Sequence, residues 1–257
     1  MIKMIDFSKY SSIKIGSSLP VKVIQNLQDI NEDLQIIGYG NNLLVSHEAK
    51  NIAILGEDYD YLLDKNDFIE VGGATSSAKI YRHFKDLNLA GLEFLRTLPG
   101  SLGGLVKMNA GMKEYEIKNV LDCVCIDGKW VDVNSLSMGY RSSDIKGVIL
   151  AARFKKISGF RTELVKTFET MRSSHPKKPS CGSCFKNPEG NFAGKLLESV
   201  GLKGYNIGDV GFSKEHANFL INLGKGSFED AINLIDLGKK RVFDEYGVKL
   251  QEEVIII

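Results

Sequence analysis

Hydrophobic and polar residues alternate most regularly between Val120 and Val133. The alternating segments flank Asp127-Gly128, the residue pair that type I′ hairpin turns favour. We therefore predict a β-hairpin here, followed by a strand over the apolar residues 148–154. Shorter apolar runs predict strands at residues 34–37, 52–55, 68–71 and 217–223, and alternation predicts a terminal strand at 248–257.

In five other segments, apolar residues recur every three or four positions, as on one face of a helix. Thr75 or Ser76 is expected to cap the second of these helices, and Gly91 to end it. Ser227 begins the longest helix with a capping box, and Gly247 is expected to end it. The predicted helices cover residues 20–30, 80–87, 162–171 and 193–200 and the segment between Ser227 and Gly247.

The composition is that of an ordinary globular protein. The chain has 257 residues, 43% hydrophobic and 25% charged, which is enough for one large or two modest domains. Its net charge of +1 gives no field that would attract nucleic acid or an acidic membrane. The N-terminus lacks the apolar core of a signal peptide, and no apolar run is long enough to cross a bilayer, so we expect a cytoplasmic protein.

Glycines are concentrated between Gly91 and Gly111, where five of them accompany mostly apolar residues. Glycine inside a regular element costs about 0.5–1 kcal/mol relative to alanine, so this density needs a reason. Two interpretations remain open: a cradle whose backbone N–H groups bind a ligand, and a buried strand–turn–strand.

The turn Gly38–Asn42 also offers backbone donors for a pyrophosphate, although it matches neither the Rossmann fingerprint nor a P-loop. The polar segment Ser11–Ser18 is a weaker phosphate candidate.

The four cysteines form one Cys-x-Cys and one Cys-x-x-Cys pair, which together suit a tetrahedral zinc site. However, Cys123 and Cys125 lie on one face of a predicted strand, where they fit a core. Cys181 and Cys184 lack the setting of a zinc knuckle. We therefore favour no metal and, in a cytoplasmic chain, no disulfide.

Seven motifs, in the same order along nearly the whole chain, resemble those of the bacterial UDP-N-acetylenolpyruvoylglucosamine reductases, the MurB flavoenzymes of peptidoglycan precursor synthesis. Each motif is weak alone, and their shared order makes the resemblance specific. Asn41 replaces a common serine, Ser17-Ser18 replaces a glycine pair, and the chain is short, as in the subgroup without an extra substrate-covering loop. The motifs are Gly38–Val45, Pro99–Gly104 with Met108–Gly111, Tyr140–Ser143, Gly182–Pro188, Ala193–Glu198, Lys214–Phe219 and Leu250–Val254.

The resemblance implies an α+β protein with two domains. An FAD-binding domain of the vanillyl-alcohol-oxidase (PCMH) type would cover residues 1–158, and a smaller α+β substrate-binding domain would cover residues 159–257. The basic, proline-bearing residues 172–180 also predict a boundary in this region. NADPH would reduce the FAD, and a hydride would then reach the enolpyruvyl group of UDP-N-acetylglucosamine enolpyruvate, giving UDP-N-acetylmuramate. We expect a monomer without nucleic-acid or membrane partners.

The resemblance also implies which residues contact each ligand. For the diphosphate, uracil or sugar of the substrate they are Asn187, Lys195, His216 and Asn218, although His216 fits a helix end or core equally well. For the cofactor they are Gly38, Gly40, Asn41, Asn42, Leu43, Pro99, Gly100, Ser101, Gly103, Gly104, Asn109, Ala110 and Gly111.

Two residues match the family's carboxylate-binding and proton-donating positions. Hydride arrival at an enol ether conjugated to a carboxylate leaves negative charge there, which the bidentate guanidinium of Arg141 suits. The carbanion then needs a proton, the role of Ser183 in the family, although a hydroxyl is a poor acid and depends on geometry and neighbouring charge. From residue types alone, Arg141 would be expected to form a surface ion pair with Asp144 and not to bind substrate. Ser183 would be expected only to form a turn.

For the third catalytic position, two arguments disagree. On the predicted terminal strand, Glu252 shares a face with the apolar Leu250 and Val254, which marks it as the buried carboxylate. The family spacing Leu-x-x-Glu-Val instead selects Glu253, and we follow it because a catalytic side chain must face the ligand. A carboxyl group among apolar neighbours has a raised pKa and helps to polarise a substrate.

Two other functions remain open. An oxidase of the same fold would pass electrons to oxygen and release hydrogen peroxide without the UDP-sugar. A non-catalytic nucleotide-sugar binding protein would contain no flavin that NADPH reduces.

Overall fold

Six helices and nineteen mostly short strands follow one another along the chain, and the computed structural model describes all residues from 1 to 257. The helices are α1 (Phe7–Tyr10), α2 (Ser77–Asp86), α3 (Leu102–Lys107), α4 (Thr162–Arg172), α5 (Ala193–Ser199) and α6 (Phe228–Tyr246). The first ten strands are β1 (Ile2–Asp6), β2 (Ser18–Ile24), β3 (Gln35–Ile36), β4 (Leu43–Leu44), β5 (Ile52–Leu55), β6 (Leu62–Asp64), β7 (Phe68–Gly72), β8 (Gly111–Met112), β9 (Tyr115–Glu116) and β10 (Leu121–Ile126). The others are β11 (Lys129–Asp132), β12 (Met138–Gly139), β13 (Ser142–Ser143), β14 (Ile149–Lys155), β15 (Ser180–Ser183), β16 (Asn206–Ile207), β17 (Val210–Phe212), β18 (Phe219–Asn222) and β19 (Ile255–Ile256). The protein is thus a mixed α and β protein.

The contacts within the chain divide it into two units. The second unit combines the C-terminal part of the chain with two segments from its N-terminal region, a grouping that the sequence pattern does not reveal. Its last boundary, at Ser173 and Ser174, falls inside the aperiodic segment 172–180. The first unit contains Met1–Lys3, Val21–Gly38 and Asn51–Ser173, and the second contains Met4–Pro20, Tyr39–Lys50 and Ser174–Ile257.

An antiparallel sheet of five strands, in the order β11-β10-β14-β7-β6, is the main sheet of the first unit. The predicted hairpin between β10 and β11 is confirmed, with Ile126 opposite Lys129. Asp127 has φ 47 and Gly128 φ 83, and both must be positive in a type I′ turn. Buried side chains of the sheet and of α2, α3 and α4 form the core of this unit, including Ile69, Val71, Phe84, Leu102, Val124, Phe154 and Phe168.

The helix predicted over residues 20–30 is wrong. Residues Ser18–Ile24 form strand β2, which pairs in parallel with β5, and a 3₁₀ turn follows at Leu27–Asp29. The buried Val21 and Val23 are two positions apart on this strand. Pairing with a strand distant in sequence therefore overrides the local spacing of the apolar residues.

Helix α2 begins as predicted and ends differently. The side chain of Ser76 accepts a hydrogen bond from the amide of Lys79, which confirms it as the cap. The helix ends at Asp86, and the first residue with positive φ after it is Asn88, three positions before the predicted stop at Gly91. Gly91 instead permits close packing, because a Cβ there would lie 2.2 Å from Val120 Cγ1.

The glycine-dense stretch contains no buried strand–turn–strand, so this interpretation is wrong. A 3₁₀ turn at Glu93–Arg96 is followed by helix α3. The amide of Gly103, in the first turn of α3, donates to the carbonyl of Gly73 at 2.9 Å. A Cβ on Gly73 would lie 2.4 Å from the carbonyl oxygen of Ile149, so the chain needs glycine where this layer packs closely.

The second unit has an antiparallel sheet of four strands in the order β15-β18-β17-β16, and a parallel pair of β19 with β4. Ser227 caps α6 and Gly247, with φ 65, ends it, as predicted. Tyr246, the last residue of α6, is 46% exposed. The core of this unit includes Phe185, Leu197, Phe212, Leu234 and Val242.

The predicted terminal strand over residues 248–257 is mostly wrong. Only Ile255 and Ile256 form a strand, and before them Glu252 makes an isolated bridge with Phe185. The alternation of faces used to compare Glu252 with Glu253 therefore does not apply. Among the helices of the protein, none is long and apolar enough to span a membrane.

Candidate functional site

In the first unit, Arg141 lies at the tip of a two-residue turn between β12 and β13. Its φ is 50, in the left-handed region that is uncommon for a residue with a side chain. Arg141 Nη2 donates to the carbonyl of Gly111 at 2.7 Å, and the guanidinium lies 5.1 Å from the ring centroid of Tyr140. Asp144, the alternative partner, accepts a hydrogen bond from the amide of Ser137.

The side chain of Asn109 contacts protein backbone at both of its polar atoms. It is fully buried, its Nδ2 donates to the carbonyl of Gly139 at 2.9 Å, and its Oδ1 accepts from the amide of Lys118 at 3.3 Å. Gly111 has a structural reason for lacking a side chain, because a Cβ would lie 2.3 Å from the carbonyl oxygen of Tyr115. These two predicted cofactor residues therefore hold the surroundings of Arg141.

Two of the predicted cofactor segments meet in the first unit. A Cβ on Gly38 would lie 2.4 Å from Ser101 Oγ, so the backbone at Gly38 passes directly over this hydroxyl. Ser101 is buried and precedes helix α3, and its side chain accepts no capping hydrogen bond from the helix. The exposed Gly104 follows in the same helix.

In the second unit, residues 40–42 of the turn predicted to bind a pyrophosphate offer free backbone donors. Gly40 has φ 68, and the amides of Asn41 and Asn42 after it donate to no other protein atom. A left-handed residue next to free backbone N–H groups makes an anion-binding concavity, so this turn fits a diphosphate. Ser12 supports the turn, because its hydroxyl lies 3.1 Å from the carbonyl oxygens of both Gly40 and Asn41.

The phosphate role considered for Ser11–Ser18 does not suit the two hydroxyls at its start. Ser12 contacts the turn just described, and Ser11 is buried with its Oγ donating to the carbonyl of Phe7 at 2.8 Å. Both side chains are therefore engaged by the backbone of this unit.

Ser183 ends strand β15 just after a β-bulge. Ser180 pairs with Ile221 and Ser183 with Phe219, so β15 contains one residue more than β18 between these pairs. Gly182 supplies the bulge with φ 82, and an added Cβ there would meet no atom within 4 Å. The half-buried Ser183 hydroxyl makes no hydrogen bond to the protein. Bulges re-aim side chains next to active sites, and here the residue before Ser183 has open space where its own side chain would be.

Asn218 clamps the backbone that follows Ser183. Its Oδ1 accepts from the amide of Phe185 at 2.9 Å, and its Nδ2 donates to the carbonyl of Phe185 at 2.7 Å. The carbonyl of Asn218 also accepts from the amide of Cys184 at 2.6 Å. Asn218 is almost fully buried, so it acts on the protein backbone, where the sequence predicted a contact with substrate.

Glu253 lies next to the segment that follows Ser183 and next to Asn42 of the predicted pyrophosphate turn. Its amide donates to the carbonyl of Cys184 at 2.8 Å, and its carbonyl accepts from Asn42 Nδ2 at 2.8 Å. The structure thus brings Ser183, Glu253 and Asn42 together within the second unit. Arg141 belongs to the first unit.

Glu252 is engaged by an ion pair. Its Oε1 lies 2.7 Å from Lys239 Nζ on α6. Burial alone would raise the pKa of Glu252, but the hydrogen bond and charge of Lys239, with a backbone hydrogen bond, bring this pKa below its usual value. Glu252 is only half-buried and is paired with Lys239, so its interpretation as the buried carboxylate of a terminal strand is wrong. The sequence spacing gave no sign of Lys239.

The remaining predicted substrate residues gather at the start of α5. Asn187 Oδ1 accepts from the amide of Ala193 at 3.1 Å, and a Cβ on Gly194 would lie 3.1 Å from His216 Cε1. Burial lowers the pKa of His216, and its Nδ1 accepts from the amide of Asn218 at 3.3 Å, which leaves Nε2 to carry the proton of the neutral ring. The exposed Lys195 places its Nζ 5.1 Å from the ring of Phe192.

All four cysteines are free thiols. Cys181 and Cys184 are fully buried in the core of the second unit, and burial raises the pKa of Cys181 to about 12 and that of Cys184 well above its usual value. Cys125 is buried and Cys123 only half-buried, so the predicted core role fits Cys125 better. No group of three or more His, Cys, Asp or Glu side chains is arranged to hold a metal ion.

Comparison with known proteins identifies the family. The UDP-N-acetylenolpyruvoylglucosamine reductase of Helicobacter pylori strain J99 is 56% identical over 253 residues, covering 98% of each chain. That of Helicobacter hepaticus is 58% identical over 258 residues, covering 99% of this chain and 98% of the relative. The chain belongs to the UDP-N-acetylenolpyruvoylglucosamine reductase family.

Two further comparisons agree with membership in the UDP-N-acetylenolpyruvoylglucosamine reductase family. The family model of the C-terminal domain of these reductases matches residues 175–257. The crystal structure of UDP-N-acetylenolpyruvylglucosamine reductase (MurB) from Thermus caldophilus superposes with a TM-score of 0.87 at 28% sequence identity, covering 100% of this chain and 98% of that one. The resemblance inferred from the seven motifs is thereby confirmed.

Proposed function

We propose that this protein reduces the enolpyruvyl group of UDP-N-acetylglucosamine enolpyruvate to give UDP-N-acetylmuramate, a precursor of peptidoglycan, with NADPH as reductant. Family membership over 98% of the chain supplies the substrate and the reaction. The structural observation that carries the proposal is the free hydroxyl of Ser183 beside the backbone of Glu253, joined through the carbonyl of Cys184.

FAD is the cofactor that the chain is suited to hold, in a binding domain of the vanillyl-alcohol-oxidase type. The left-handed Gly40 with the free amides of Asn41 and Asn42 suits its diphosphate. Gly38 and Ser101, which the resemblance assigns to the cofactor from two different motifs, pack directly against each other in the first unit. Bound FAD supplies a hydride that NADPH has provided.

Arg141 binds the carboxylate of the enolpyruvyl group in this proposal. A guanidinium forms two parallel hydrogen bonds with a carboxylate, which lysine does not reproduce. Because Arg141 Nη2 already donates to the carbonyl of Gly111, the planar group is oriented before the ligand arrives. Negative charge that develops on the carboxylate then faces a fixed cation.

In this proposal Ser183 transfers a proton to the carbon that bears the enolpyruvyl carboxylate. The Ser183 hydroxyl has no protein acceptor to compete with the substrate, so its proton is available. Glu253 helps to polarise the substrate, while Glu252 is held by Lys239 and has a structural part. Asn187, Lys195 and His216, grouped at the start of α5, bind polar parts of the UDP-sugar.

A steady-state assay tests this function. NADPH oxidation by the purified protein should depend on UDP-N-acetylglucosamine enolpyruvate and yield an equal amount of UDP-N-acetylmuramate. NADPH oxidation that proceeds without the UDP-sugar and releases hydrogen peroxide would show an oxidase instead. A folded protein that binds the nucleotide sugar but neither contains nor accepts flavin would contradict the assignment as a reductase.

A further inference from the structure

We propose that Asn109 is a positioning residue for Arg141, acting on the turn that presents the guanidinium. This inference rests on the carboxylate-binding role of Arg141 in the proposed function. It differs from the cofactor contact that the sequence resemblance implies for Asn109.

The contacts of Asn109 connect three elements of the first unit. Its amide donates to the carbonyl of Val106 at the end of α3. Its side chain receives the amide of Lys118, in the 3₁₀ turn Ile117–Asn119, and donates to Gly139 at the end of β12. Gly139 is two residues before Arg141, so the Asn109 side chain holds the backbone at the point where the turn that carries Arg141 begins.

Asparagine suits this position for two reasons. Asn109 has φ 41, a left-handed conformation that asparagine tolerates better than most residues with a side chain. Its amide group combines one acceptor for Lys118 with a donor for Gly139, and aspartate keeps only the acceptor. A fully buried amide with both ends satisfied is costly to disturb.

Other contacts hold the same turn, and together they leave Arg141 little freedom. Lys118 Nζ donates to the carbonyl of Met138 at 3.0 Å, and Ser143 Oγ donates to the carbonyl of Lys107 at 2.8 Å. Both partners are half-buried or exposed, whereas Asn109 is fully buried. Water can therefore replace the hydrogen bonds of Lys118 and Ser143, but it cannot reach those of the buried Asn109 side chain.

The test is Asn109→Asp, which keeps the acceptor for Lys118 but sets an oxygen against the carbonyl of Gly139. We expect binding of UDP-N-acetylglucosamine enolpyruvate, measured by calorimetry, to weaken about tenfold, because breaking one buried hydrogen bond misorients Arg141. Reduction of bound flavin by NADPH should keep its rate. The matched control is Asn119→Asp: Asn119 is exposed and makes one side-chain hydrogen bond, to the carbonyl of Glu114, so binding should not change.

A double-mutant cycle with Arg141→Lys separates positioning from a general structural effect. If Asn109 acts through Arg141, Asn109→Asp should add little to the loss already caused by Arg141→Lys. Additive losses, or a loss of flavin content in Asn109→Asp alone, would overturn the inference. If Arg141→Lys itself leaves substrate binding unchanged, the role of Arg141 in the proposed function fails instead, and the two failures are thus distinguished.

Discussion

Arg141 and Ser183, the two side chains proposed to act on the reacting group, lie in segments of similar design. Each is on or next to a residue with positive φ, and each segment is clamped by a buried asparagine. Arg141 is itself left-handed and donates to the carbonyl of Gly111. Beside Ser183 the left-handed residue is Gly182, and the serine hydroxyl makes no hydrogen bond to the protein.

This difference corresponds to two tasks. A group that binds a carboxylate gains from being oriented in advance, because less side-chain freedom is lost on binding. A group that gives up a proton gains from having no protein acceptor that competes with the substrate. The comparison therefore supports the roles proposed above, with the preorganised Arg141 in binding and the free Ser183 hydroxyl in proton transfer.

Removing the hydroxyl should have the largest effect. In Ser183→Ala, reduction of UDP-N-acetylglucosamine enolpyruvate by the NADPH-reduced protein should slow roughly 10²–10⁴-fold, the range typical of general acid catalysis. Reduction of the flavin by NADPH should be unchanged. Anaerobic stopped-flow absorbance measures both steps.

Ser199→Ala is the control for this experiment. Ser199 lies in the same unit, at the end of α5, and its hydroxyl donates to the carbonyl of Leu196. Both steps should keep their rates in this variant. If Ser183→Ala slows the two steps equally, Ser183 shapes the bulge and does not transfer the proton.

Replacing the preorganised cation should have the next largest effect. Arg141→Lys keeps the charge but loses the planar pair of donors, so the Kd for UDP-N-acetylglucosamine enolpyruvate should rise about tenfold or more, as a lost charge-assisted hydrogen bond predicts. The rate at saturating substrate should fall less than in Ser183→Ala. An unchanged Kd with a large loss of rate would show that Arg141 acts in the chemical step and not in binding the substrate.

Removing the contacts by which Asn218 holds the backbone after Ser183 should lower the free energy of unfolding. Asn218→Ala leaves the buried amide and carbonyl of Phe185 without partners, and each such group costs about 1–3 kcal/mol. Urea unfolding should report this loss. Asn206→Ala is the control: Asn206 is exposed and donates only to the carbonyl of Gly208, so its effect should stay within about 0.5 kcal/mol. Equal losses of unfolding free energy in the two variants would show that the buried contacts of Asn218 contribute no more than one exposed hydrogen bond.

The smallest effect concerns Glu252. Its pKa is lowered from 4.5 in the folded protein, so its pair with Lys239 stabilises the fold above about pH 4.5 and loses this effect as the pH falls through the lowered value. Both side chains are partly exposed, so Glu252→Gln should cost only about 0–1 kcal/mol near neutral pH. Thermal unfolding at several pH values measures this.

Glu253→Gln is the matching variant. It should slow the reduction of the UDP-sugar while Glu252→Gln has little effect on that step. A larger kinetic effect of Glu252→Gln would move the catalytic role to Glu252.

Local signals predicted the elements that local geometry determines. The Asp127-Gly128 turn, the Ser76 and Ser227 caps and the Gly247 stop depend on residues adjacent in sequence, and all four are found. Residues 20–30 were misassigned because apolar spacing there fits a helix face, whereas pairing with β5 decides the structure. Residues 248–254 alternate like a strand, but their backbone pairs only at the isolated bridge of Glu252 with Phe185, so no strand forms before Ile255.

The candidate site was predicted through its motifs but not through its contacts. Ser183, Glu253 and the turn at Asn42 were all named from the sequence, and the structure brings them together in the second unit. The side-chain actions of Asn109 and Asn218 on backbone were missed, because their partners, Gly139 and Phe185, are about thirty positions away. The pair of Lys239 with Glu252 was also missed, because the two residues lie on different elements, 13 positions apart.

An anaerobic absorbance titration tests the central claim most directly. The purified protein, loaded with FAD, should show an oxidised flavin spectrum that NADPH bleaches, and UDP-N-acetylglucosamine enolpyruvate should then restore it while UDP-N-acetylmuramate forms. A bleached spectrum that the UDP-sugar leaves unchanged, and that only oxygen restores, would contradict the account.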